Sequence, residues 1–140
     1  MFIPETKTKV ADLMLGLDAI PIVAEKCILK DALEIANKKR LGIVCIADEK
    51  NILLGVITDG DIRRLFLRNQ RPSAALFIED ALDYANRSPV TTASDETLFS
   101  TLSLMEEKKV WDLPVVGQSG ELLGLLHLHS AVLALMRSKS

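Results

Sequence analysis

The chain reads as an α/β protein of the α+β kind, one β-α-β-β-α unit written twice and packed about a pseudo-twofold axis. Three observations predict it. Leu53–Phe66, LLGVITDGDIRRLF, has the layout of a buried strand, a tight polar turn and a helix start, and Leu122–Leu135, LLGLLHLHSAVLAL, repeats that layout. Setting Gly55 over Gly124 gives an offset of 69 residues and needs no gap from Leu29 to Phe66. Helical spacing and continuous apolar runs alternate in the same order in both halves. The strand-to-helix corners near Thr58 and His127 are then expected around a shared cleft.

The first half runs as follows. Met1–Lys9 contains Pro4 and several charges and is expected to be an extended lead-in. Val10–Leu17 is a short amphipathic piece, and Pro21–Ala24 a short strand. Leu29, Ala32, Leu33 and Ala36 fall at helical spacing, widened by Ile28 and Ile35. Asp31 and Glu34 early, and Lys38, Lys39 and Arg40 late, suit the helix dipole. Gly42 is expected to stop this helix. Ile43–Ala47 is apolar throughout, as in a strand covered on both faces. Asp48–Asn51 is a turn and Ile52–Ile57 the returning strand of a hairpin. The next helix begins at Asp59–Asp61 and carries Ile62, Leu65 and Phe66.

The second half repeats this order. Asn69–Ala74 is a polar connector with Pro72, and Ile78–Tyr84 echoes Val10–Leu17. Pro89–Thr92 is expected to be the short strand again. Leu98, Leu102 and Met105 mark a helix opened by Asp95 and Glu96. Leu113–Val116 and Glu121–Leu126 are paired strands joined by Gly117–Gly120, and the last helix runs from about His129 to Arg137. Ser138–Ser140 is expected to fray. The two domains are expected at 10–70 and 78–137. Each is small enough to bury little core alone.

Composition narrows the function. Of 140 residues 49% are hydrophobic but only 4% aromatic, so the core is aliphatic. The net charge of −2, with basic residues only in short, separated clusters and no long run of either sign, disfavours nucleic acid as a partner. Cys27 and Cys45 lack metal-ligand spacing and fit a reducing, cytoplasmic setting. No apolar h-region opens the chain, and no apolar run approaches the roughly 20 residues of a membrane span. No Ser/His/Asp order and no P-loop is present, so no catalytic site is expected. His127 and His129, on a strand, would share a face, but two ligands leave a metal site incomplete, and no metal is expected.

Gly55-Val56-Ile57-Thr58-Asp59-Gly60-Asp61 fits the Gly-x-x-Thr-x-x-Asp ligand motif of CBS domains, and Leu113-Pro114-Val115-Val116 fits their Pro-Val strand. From about Val10 to Met136 the chain resembles a tandem CBS pair. Thr58–Arg64, TDGDIRR, with Gly124–His129, GLLHLH, is most similar to the C-terminal CBS pair of D-arabinose 5-phosphate isomerases. Those enzymes join the pair to a sugar isomerase (SIS) domain and serve synthesis of the lipopolysaccharide sugar Kdo. TDGDIRR also resembles CBS pairs fused to sugar nucleotidyltransferases. Two departures stand out. Ser130 takes the place of the Asp usual in the isomerases, and Cys45 that of Pro114. The CBS pair uses up the chain, so no SIS domain is expected within it.

The resemblance implies a regulatory ligand-binding module, with AMP, ATP or a sugar nucleotide such as CMP-Kdo as ligand, and head-to-head or head-to-tail homodimers. Isomerase activity is implied only for a longer protein. The alternative is a structural dimerisation module. The candidate ligand-binding residues are Ile57, Thr58, Gly60, Asp61, Arg64, Thr92, Pro114, Val115, His127 and Ser130. The Asp61 carboxylate is a bidentate acceptor for ribose hydroxyls. Thr58 bonds a phosphate or ribose oxygen, the Gly60 amide faces an anion, and Arg64 or Arg63 adds charge. Ile57, Val44 and Val115 are expected to line a base slot. His127 stands where Thr58 stands in half one, and His129 is expected to cap the last helix. Against this, Thr58 and Asp61 also suit a plain helix cap. Trp111 is expected in core or rim packing. Ile62–Phe66 and Val132–Met136 suit either a dimer surface or the internal core.

Overall fold

The structure, a computed structural model, describes residues 8–138. Most of the lead-in Met1–Lys9 and the final Lys139–Ser140 lie outside them. In chain order the elements are α1 (Val10–Leu13), β1 (Ile22–Ala24), α2 (Leu29–Lys39), β2 (Ile43–Ala47), β3 (Leu53–Thr58), α3 (Asp59–Arg68), α4 (Ser73–Phe77), α5 (Leu98–Lys108), β4 (Asp112–Val116), β5 (Leu122–His127) and α6 (Leu128–Ser138). Short 3-10 turns lie at Leu17–Ala19 and Ala81–Tyr84. The β-α-β-β-α order of the first half is as read from sequence. The connector after Asn69 is not wholly irregular, because Pro72 opens the five-residue helix α4.

The chain divides into two compact units. One is continuous, Ala19–Pro89; the other joins the chain ahead of Ala19 to the chain from Val90 onward. In the continuous unit β1 pairs parallel with β2, and β2 antiparallel with β3. Every residue of β2 is buried, as its unbroken apolar run predicts. Side chains alternate across a strand, so Val44, Ile46 and Ile57 share the face covered by Leu29, Ala32 and Ala36 of α2, with Leu76 of α4 beside them. Ile43, Cys45, Val56 and Thr58 point to the opposite face.

The discontinuous unit repeats the design around β4 and β5. Leu113, Val115 and Leu126 meet Leu98 and Met105 of α5, Ala131 of α6 and Val10 of α1. Duplication reaches backbone detail. Both hairpins carry a register shift at matching places, Ile46/Ala47 and Val115/Val116. Positive φ recurs at the same offset: Arg40 (59°) with Lys109 (58°), and Asn51 (65°) with Gly120 (87°).

Two sequence expectations are corrected here. The helix α2 ends at Arg40, not Gly42. Arg40 takes the left-handed conformation, and its N–H reaches the carbonyls of Ala36 and Asn37. Gly42 serves another end, since a Cβ there would lie 2.8 Å from an Asp59 carboxylate oxygen. Pro89–Thr92 forms no strand; Thr92 makes a lone parallel bridge to Val115. In half one the Cys45 N–H donates to the Pro21 carbonyl (2.9 Å). The matching donor in half two would be Pro114, which has no N–H, so the ladder shrinks to the bonds on either side of Thr92.

Each sheet is also crossed by the segment that precedes a repeat. Leu15 exchanges both backbone hydrogen bonds with Leu125 (2.8 and 3.0 Å), and Asn86 does the same with Val56 (2.8 and 3.0 Å). A Cβ on Gly124 would lie 2.5 Å from the Leu15 carbonyl oxygen, and one on Gly55 3.0 Å from that of Asn86. The glycine that opens each repeat motif is there because a second backbone passes over it.

Candidate ligand-binding site

In half one the motif closes on itself. The Thr58 hydroxyl accepts the Asp61 N–H (3.2 Å), and Asp61 Oδ2 accepts the Thr58 N–H (2.9 Å), a reciprocal capping box at the start of α3. The helix-cap role weighed from the sequence is therefore real. Asp61 Oδ1 accepts Arg64 Nη2 at 2.8 Å, with the Asp61 side chain 28% exposed. Arg64 folds back over Gly60, where an added Cβ would meet its guanidinium at 3.2 Å, while Arg63 is exposed. A carboxylate has roughly four lone-pair sites, so a ligand diol gains Asp61 by using the remaining pair and displacing Arg64. That exposed ion pair is worth at most about 1 kcal/mol. Below the cap, Asp59 N–H donates to the Gly42 carbonyl (3.0 Å).

The same corner in half two has different chemistry. Leu128 N–H donates to the Trp111 carbonyl (2.9 Å), matching the Asp59–Gly42 bond. His127 stands at the Thr58 position and faces Asp112 across the hairpin, Nδ1 to Oδ1, 2.7 Å. Ser130, half-buried, stands at the Asp61 position. His127 ends β5, but His129 lies in α6 as its second residue. The two histidines therefore do not share a strand face, although their ring centroids are 6.4 Å apart, and His129 sits inside the helix rather than at its cap. Among the described residues no three His, Cys, Asp or Glu side chains gather as a metal site.

The base slot needs correction. Ile57 (2% exposed), Val44 and Val115 have their side chains in the hydrophobic cores beneath the helices. By strand parity it is Thr58 in one unit, and Pro114 and His127 in the other, that point to the opposite sheet face. Thr92 is buried, its hydroxyl 3.3 Å from that of Thr101. It lines an open groove of about 850 Å³ with Thr101, Asp95, Glu96 and Glu107. Pro114, Val115, His127 and Ser130 do not line that groove, and its carboxylates oppose a phosphate. Trp111 is 72% exposed, so it is not core. Of the two apolar helix faces, Ile62, Leu65 and Phe66 pack on the core, whereas Val132, Leu133 and Met136 are exposed. Burial, then Asp31 and Asp80, push the Cys27 thiol above its ordinary value, away from thiolate reactivity.

Asp112 was not singled out from the sequence. The signal was available: pairing the strands through the Gly117–Gly120 turn sets it opposite His127.

The chain belongs to the CBS domain family, whose model matches residues 10–68 and 81–137. It is 31% identical over 122 residues to the uncharacterized protein RP505 of Rickettsia prowazekii, covering 87% of this chain and 36% of that one. It is 32% identical over 111 residues to a probable arabinose 5-phosphate isomerase of Haemophilus influenzae, covering 79% and 32%. The chain thus spans about a third of the length of these relatives. CBSX2, a CBS-pair protein of Arabidopsis thaliana solved in complex with AMP, superposes with a TM-score of 0.83 at 26% identity, covering 95% of this chain and 99% of that one. No helix among the described residues is long and apolar enough to cross a membrane.

Proposed function

We propose that this CBS pair is a regulatory module that binds an adenine nucleotide, AMP first, through the Thr58–Asp61 corner. The observation that carries the reading is the half-buried Asp61 carboxylate, fixed by its cap to Thr58 and by an ion pair that is cheap to displace. The likeness to an AMP-bound CBS pair supports the choice of ligand. Asp61 takes the ribose diol and Thr58 a ribose or phosphate oxygen. Gly60 and Arg64, once Arg64 is released, take phosphate; Pro114, His127 and Ser130 are the candidates at the second repeat's own corner. Ile57 and Val115 hold the strands in place from the core side. A sugar nucleotide such as CMP-Kdo is the variant in which the enzyme senses its pathway's product.

The module belongs to a longer cytoplasmic protein, with a SIS domain of an arabinose 5-phosphate isomerase as the catalytic part and homodimers formed through the CBS pairs. The ligand acts on the catalytic part only by binding one of its states more tightly. Calorimetry with AMP, ATP, CMP and CMP-Kdo tests this. AMP should bind, and Asp61→Ala should weaken it at least about tenfold, or about 1.4 kcal/mol. Absence of binding at millimolar nucleotide, or an unaffected Asp61→Ala variant, refutes it.

The exposed Val132, Leu133 and Met136 favour a second reading, a dimerisation module. A monomer in sedimentation at high concentration refutes that one.

A further inference from the structure

The corner that half two builds from Asp112, His127, His129 and Ser130 lacks the carboxylate that suits a diol, and its donors are arranged differently from those of half one. Nδ1 of His127 lies 2.7 Å from Asp112 Oδ1. A carboxylate only accepts, so the ring proton sits on Nδ1. In the neutral ring Nε2 is then a bare lone pair, which repels an anionic oxygen. Adding one proton turns Nε2 into an N–H donor. The His127 side chain is 22% exposed, His129 lies beside it, and Ser130 adds a hydroxyl donor one step further into α6.

We propose that this corner is a proton-gated half-site for an anionic group, a phosphoryl above all, which binds together with a proton taken up at His127. The inference deepens the ligand-binding reading given above and rests on it.

The surrounding charges fit this assignment. On β4, Asp112 is the group in contact with His127, and on α6 the nearest charge is His129, with Arg137 in the last turn. Asp12 on α1, which packs against α6, turns back onto the Lys9 backbone N–H. Lys109 at the end of α5 is paired with Glu106. Asp112 faces the His127 ring directly, so this carboxylate is turned to a ring nitrogen rather than to an incoming anion.

The test uses sulfate, a tetrahedral anion that does not titrate near neutrality, so every pH effect belongs to the protein. The chain has two histidines, and His129→Gln assigns their ring proton signals in NMR. Each is titrated in sulfate and in chloride at matched ionic strength. The expected result is a His127 midpoint higher in sulfate by at least about half a pH unit, a roughly threefold bias. The Asp112→Asn variant, in which the ring is no longer held to one tautomer, should lose most of that difference. Equal His127 midpoints in the two salts overturn the proposal, as does a shift confined to His129. Because no nucleotide is used, this result is independent of whether Asp61 holds a ribose.

Discussion

Arg40 and Lys109 both sit at φ near 60°, where an L side chain crowds its own backbone at a cost of roughly 1 kcal/mol. Arg40→Gly and Lys109→Gly should each stabilise the protein by about 0.5–1 kcal/mol in urea denaturation, because glycine takes this conformation freely. At the corner, Thr58→Ala removes the hydroxyl that accepts the Asp61 N–H, and should cost about 1 kcal/mol by the same measurement. Residue types were the most legible part of the site: Thr58, Asp61 and His127 stand at the two matched corners. Side-chain direction was not legible. Ile57 and Val115 lie next to the motif residues and look like slot lining, yet strand parity turns them into the cores. Gly42 looks like a helix stop but is kept small by Asp59.

At the level of elements the sequence is legible wherever hydrophobic periodicity is strong. That holds for α2, β2, β3, α5 and the β4–β5 hairpin. The pattern is outweighed where one hydrogen-bond donor is missing, as at Pro89–Thr92. The comparison with half one predicts what restoring the loss to the other copy does. Cys45→Pro deletes the bond to Pro21 in the central strand of its sheet and should destabilise the continuous unit by about 3 kcal/mol or more, with loss of amide protection along β1 in hydrogen exchange. The linking segment is fastened by Arg71, bidentate to Glu79 (2.8 and 2.9 Å). The hydrogen bond from Arg71 holds the Glu79 carboxyl below its usual range. Its folded value is lowered, so this support is present at neutral pH and fades as pH falls through that lowered value. Acid titration should therefore loosen α4 before the sheet, as read by amide exchange of 73–77.

Across the whole molecule, the repeat was plain in the sequence while its interleaving was hidden. An offset of 69 residues says which residues match, not which unit a lead-in joins. That is decided by the approach of Leu15 to Leu125, which Gly124 permits. Gly124→Ala should release the segment ahead of Ala19 and bring rapid protease cleavage near Leu15. Gly16→Ala, with nothing within 4 Å of its added carbon, should leave cleavage unchanged. Val10, fully enclosed in the core of the unit it joins, carries a consequence for synthesis. A ribosome releases Val10 well before Leu125, more than a hundred residues later in the chain, and domains tend to close as they emerge. Ala19–Pro89 is complete before Val90 emerges and is free to settle, while Val10 waits, unmatched, for the strands and helices of its own unit that follow.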